Sequence, residues 1–87
     1  MDLNELREEI DRIDTQVVRL FSERAAKALL AGDEKKKDGL PVFDQDRERI
    51  VLEKVSALNC GPLNDETVCE IYQLLMNSCT ELQKSAG

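Results

Sequence analysis

The residues of greatest chemical interest are polar side chains that stand where an apolar helix stripe should continue. After Leu20 the series runs Arg24, Ala28, Ala31 and Lys35, in steps of 4, 4, 3 and 4. On a helix, Arg24 and Lys35 face within about 20° of each other after three turns. The alanines between them leave space. Arg47 and Glu48 precede Val51 and Leu52 by four residues, on the inner side of a first helical turn. Gln83 follows Leu75 and Cys79 on one face. Unpaired cations aimed at a core are costly. They either reach solvent along their stems or are compensated by a bound anion. If three helix ends converge, the result is a mostly cationic pocket with one carboxylate and one amide. Each residue also has an ordinary reading. Arg24 suits a helix-flank ion pair, and Lys35 lies in a charge run from Glu34 to Asp38. Arg47 and Glu48 suit surface pairs, Gln83 suits terminal polar surface, and Cys79 suits a small core position.

The composition removes other chemistries. There is no His among the 87 residues, which excludes an imidazole base or a Ser-His or Cys-His pair. The three cysteines, Cys60, Cys69 and Cys79, show no CxxC spacing. That gives neither a zinc site of the usual kind nor a disulfide framework. No metal is expected. A net charge of −6 argues against nucleic acid and anionic membranes as partners. No apolar run approaches the ~18 residues of a membrane span, and no signal peptide opens the chain. With unpaired thiols, this predicts a cytoplasmic protein.

The elements that must position these residues are helices. Leu3, Leu6, Ile10, Ile13, Val17 and Leu20 step by 3, 4, 3, 4 and 3, a helical period with no strand-like alternation. Lys37-Asp38-Gly39-Leu40-Pro41 carries a turn signal. Asp44 suits an N-cap before a second stripe of Val51, Leu52, Val55 and Leu58, which ends at Cys60-Gly61-Pro62. Asn64 or Asp65 caps a third helix, with stripe Val68, Ile71, Tyr72, Leu75, Cys79 and Leu82. The expected fold is all-α, with one long and two shorter helices in a single domain over 1–87.

A helix from Leu3 to Lys37 would be about 50 Å long at ~1.5 Å per residue. A compact chain of this length has a radius of gyration of about 12 Å. Such a helix projects beyond its own subunit with an apolar stripe uncovered, which predicts an intertwined homodimer. A break at Gly32 would instead give a compact three-helix monomer.

In order and spacing, several segments resemble the all-helical chorismate mutases, found alone or as the N-terminal domain of bifunctional prephenate dehydratases. They are Leu6-Arg7-Glu8-Glu9-Ile10-Asp11-Arg12-Ile13-Asp14, Glu23-Arg24, Gly32 with Lys35, and Gly39-Leu40-Pro41-Val42 leading to Asp44 and Arg47-Glu48. Gly61-Pro62-Leu63 and Leu82-Gln83 complete the match. The resemblance implies a dimer whose long first helices span both active sites. It also implies the Claisen rearrangement of chorismate to prephenate, in phenylalanine and tyrosine biosynthesis. That reaction has no place for a nucleophile, a general base, a metal or a cofactor. It needs a dianion held in a reactive shape and charge stabilised at the breaking ether oxygen.

Carried over by position, the resemblance gives Arg24 and Lys35 the substrate carboxylates, with Arg47 adding positive charge. Lys35 and Gln83 donate to the ether oxygen. Glu48 accepts from the substrate hydroxyl, and Asp44 helps place it through its backbone. Arg7 reaches the partner subunit's site; it lies roughly 100° round the helix from Arg24. The chain departs from the family at Cys79, where a Ser commonly donates, and at Lys27, Leu30 and Ala31. With Gly32, these predict a loosely held stretch over Ala25–Lys37 without ligand. Two other functions fit the same residues: an isochorismate-pyruvate lyase, and a non-catalytic helical dimerisation or regulatory module. Glu48 favours the mutase over the lyase.

Overall fold

The computed structural model describes residues 1–86 and contains three helices: α1 (Leu3–Lys37), α2 (Gln45–Leu58) and α3 (Asp65–Ser85). No strand occurs among the described residues. All three N-caps follow one pattern. The side chains of Asp2, Asp44 and Asn64 accept from the backbone N–H groups of Glu5, Arg47 and Thr67 at 2.9, 3.0 and 2.8 Å. Each satisfies one donor that the first turn leaves without a helical partner. The choice between Asn64 and Asp65 is therefore settled for Asn64.

α1 runs unbroken through Gly32, so the compact alternative does not apply. Its end is fixed by Gly39, whose φ of +70° lets the chain reverse. Leu40 N–H then bonds to Lys35 O at 2.8 Å and Gly39 N–H to Lys36 O at 3.2 Å, the paired closure of a glycine C-cap. The turn between α2 and α3 is organised by Asn59. Its amide donates to Leu63 O at 2.8 Å and Asp65 Oδ1 at 2.7 Å, and its oxygen accepts from Gly61 N–H at 3.2 Å. α2 thus ends at Leu58, just before Cys60-Gly61-Pro62.

α3 packs against both other helices. The core is Val51 and Val55 of α2 with Met76 of α3, flanked by Leu52, Val68, Cys69 and Tyr72. Two stripes differ from expectation. Leu58 is exposed, since it lies at the α2 terminus beyond the core. On α3 the inner line is Tyr72, Met76, Cys79 and Gln83, whereas Ile71 and Leu82 are exposed. Gln83 faces inward with Cys79, as its spacing predicts, while Leu82 beside it does not.

The chain measures 55 × 24 × 15 Å with a radius of gyration of 15.9 Å, well above the ~12 Å of a compact chain. The N-terminal half of α1 accounts for the difference. Its stripe from Leu3 to Leu20 is 38–60% exposed.

Candidate active site

The C-terminal half of α1, the start of α2 and the end of α3 meet in one cleft. α1 contributes Arg24, Ala28, Ala31 and Lys35, the same line that the step pattern selects. The connection and α2 add Val42, Asp44, Arg47, Glu48 and Val51, and α3 adds Met76, Cys79, Thr80 and Gln83. The space is about 550 Å³ with its open mouth included.

Seven of the eight residues singled out from sequence line this cleft: Arg24, Lys35, Asp44, Arg47, Glu48, Cys79 and Gln83. Arg7 does not. It sits 17 residues before Arg24, about 25 Å along the same helix, on the exposed half of α1.

α3 grips Arg24 through two residues seven apart. Arg24 Nη1 donates to Cys79 Sγ at 3.7 Å, and its guanidinium carbon lies 5.8 Å from the Tyr72 ring centroid. That distance falls within cation–π range. Lys35 Nζ donates to Val42 O at 2.8 Å. Glu48 Oε1 accepts from Gln73 Nε2 at 2.9 Å, and the same amide donates to Asn77 Oδ1 at 2.9 Å. Gln83 is 6% exposed and donates to Ala28 O. Asp44 spends its carboxylate on the α2 cap, which leaves its backbone for the cleft.

The local charge opposes the net charge. Among the described residues the ion pairs are Glu34–Lys37, Arg49–Glu53 and Glu81–Lys84, all on exposed surface. None involves Arg24, Lys35 or Arg47. The cleft therefore gathers three cations around Glu48, in a chain of charge −6. The other acidic residue on its wall, Asp44, is engaged by the α2 cap. Such a site is built to hold a small polyanion and to donate hydrogen bonds to it.

Comparison with known proteins agrees. A model of the family described as chorismate mutase type II matches residues 6–84. The chain belongs to the type II chorismate mutase family. A chorismate mutase from Methanocaldococcus jannaschii is 33% identical over 84 residues, covering 94% of this chain and 84% of that one. A bifunctional chorismate mutase/prephenate dehydratase from Aquifex aeolicus is 40% identical over 87 residues, but this chain spans 24% of its length. Chorismate mutase from Thermus thermophilus (form II) superposes with a TM-score of 0.91 at 32% identity, covering 94% of this chain and 93% of that one.

Four contributors to this cleft carry no signal of their role in the sequence. Tyr72 looks like core, and Gln73 like surface. The Val42 carbonyl has no side-chain signature. The need for Gly32 arises from a side chain 51 residues away.

Proposed function

We propose that this chain is a chorismate mutase that works by restraint and electrostatics. The observation that carries this is the set Arg24, Lys35 and Arg47, free of carboxylate partners and facing Gln83 and Glu48 across one cleft. A chorismate dianion supplies the missing negative charge. Arg24 and Lys35 clamp its carboxylates, so the flexible ring and its enolpyruvyl arm are held with the bond-forming carbons close. As the C–O bond breaks and the C–C bond forms in one cyclic step, negative charge grows on the ether oxygen. Lys35 and Gln83 donate to it there. Glu48 accepts from the ring hydroxyl, which favours rearrangement over elimination of pyruvate.

The working unit in this reading is a homodimer. The exposed stripe from Leu3 to Leu20 needs a cover, and an antiparallel α1 of a second copy fits it. Pairing centred on Val17 sets Arg7 of one copy opposite Lys27, next to Ala28, of the other. That brings Arg7 to the cleft that it cannot reach on its own chain. We expect this dimer in the cytoplasm, where its three free thiols stay reduced. Among the described residues no helix is long and apolar enough to cross a membrane.

The test of the site is inhibitor binding. A bicyclic dicarboxylate shaped like the rearranging ring should bind in competition with chorismate, and Arg24→Ala should weaken it at least about 100-fold. Binding unchanged by Arg24→Ala would remove this cleft from the mechanism.

A further inference from the structure

α1 holds Gln83 from three directions. Its Nε2 donates to the Ala28 carbonyl. Its backbone carbonyl accepts from Lys36 Nζ at 3.1 Å. That carbonyl belongs to the last turn of α3, where helical acceptors run out of partners. Its side chain lies against Gly32, the buried residue of α1. A Cβ added at Gly32 would come 2.8 Å from Gln83 Cγ and 3.3 Å from Cδ. The backbone at Gly32 is helical, so no unusual angle calls for glycine there. A mid-helix glycine is intrinsically unfavourable, and the space it leaves is filled by Gln83.

The geometry points to Gly32 and Lys36 as positioning residues for Gln83, which together aim one amide N–H of Gln83 into the cleft. This rests on the reading that Gln83 donates to the substrate's ether oxygen. A glutamine amide has two N–H donors and one carbonyl. With one N–H on Ala28 O, the donor end of the amide is fixed beside the cleft wall and the second N–H remains for substrate. An unanchored amide could turn its oxygen toward an oxygen that is gaining negative charge. Gly32 allows the side chain to lie close enough for the Ala28 bond. Lys36 fixes the height of the α3 end against α1. The two consecutive lysines thus divide their work: Lys35 bonds to the α1–α2 connection and lines the cleft, and Lys36 ties down the opposite wall.

The test is steady-state kinetics of Gly32→Ala, Lys36→Met, Lys36→Arg and Gln83→Ala, with Gly32→Ala and Lys36→Met repeated in the Gln83→Ala background. Gln83→Ala should lower kcat strongly. Gly32→Ala should lower kcat about 10- to 100-fold, the scale of a misplacement of about an ångström, with KM within about threefold. Lys36→Met should lower kcat less, and Lys36→Arg should restore it. In the Gln83→Ala background neither change should lower kcat further, because residues acting through one side chain are non-additive. Circular dichroism and sedimentation check folding, and if Gly32→Ala does not fold, the Lys36 series alone decides. The proposal is overturned if Gln83→Ala lowers kcat while the positioning variants match wild type, or if their losses persist undiminished without Gln83. If Gln83→Ala leaves kcat unchanged, the catalytic reading of Gln83 itself is wrong.

Discussion

Lys35 Nζ lies 2.8 Å from the carbonyl oxygen of Val42, so the connection between α1 and α2 anchors the lysine that lines the cleft. One of three ammonium protons is committed to the connection, and two remain for a ligand. The glycine C-cap that ends α1 two residues later makes this bond reachable. On the proposed function, Lys35→Ala removes a donor to the ether oxygen. The expected loss in kcat/KM is about 10²- to 10³-fold, or about 3–4 kcal/mol. The melting temperature should change little, since no core residue is touched. Kinetics and a thermal melt on the same sample check both.

Glu48 is held by Gln73 across the α2–α3 interface at 2.9 Å. Gln73→Leu leaves the carboxylate free to swing away from the substrate hydroxyl. KM should rise about 3- to 10-fold, the scale of an ordinary net hydrogen-bond contribution of about 0.5–1.5 kcal/mol. Gln73→Glu should raise it more, because two carboxylates then face each other. Steady-state kinetics of the two variants beside wild type measures both shifts.

The cleft cations attract a dianion through partly exposed charge, so salt should weaken binding. Raising ionic strength from about 0.1 M to about 1 M shortens the screening length from about 10 Å to about 3 Å. KM should rise at least about threefold while kcat holds. A KM that is flat in salt would contradict a charge-driven site.

The dimer reading makes a trans prediction. Arg7→Ala and Arg24→Ala each inactivate alone. Refolded together in equal amounts, half the dimers are mixed, and each mixed dimer of two-fold symmetry carries one intact site. Activity should return to about a quarter of wild type. Val17→Glu, on the stripe, should reduce the sedimenting mass from twice the 9.8 kDa chain to one chain and abolish activity.

The helices and the cleft were legible because their signals are local and periodic. Arg24, Ala28, Ala31 and Lys35 form one line by spacing alone, and that line is one wall of the site. The three N-caps and the turn at Gly39 are equally local. The rest is non-local. Gly32 reads as a weak point in a helix until Gln83 is seen to occupy its space. Gln73 reads as surface until Glu48 is found beside it. Gln83 reads either as inner face by spacing or as terminal polar surface by position, and it is buried because α3 turns that face against α1. Hydrophobic patterning puts Leu82 on the α3 stripe beside Gln83, and only the packing shows that the line through Cys79 and Gln83 faces inward while Leu82 is exposed.

The most direct measurement incubates purified dimer, verified by sedimentation, with chorismate and follows the products by NMR. The account predicts chorismate loss matched by prephenate, with no pyruvate released, and loss of that rate in Lys35→Ala. Chorismate left unconsumed by folded dimer, or pyruvate in place of prephenate, would contradict it.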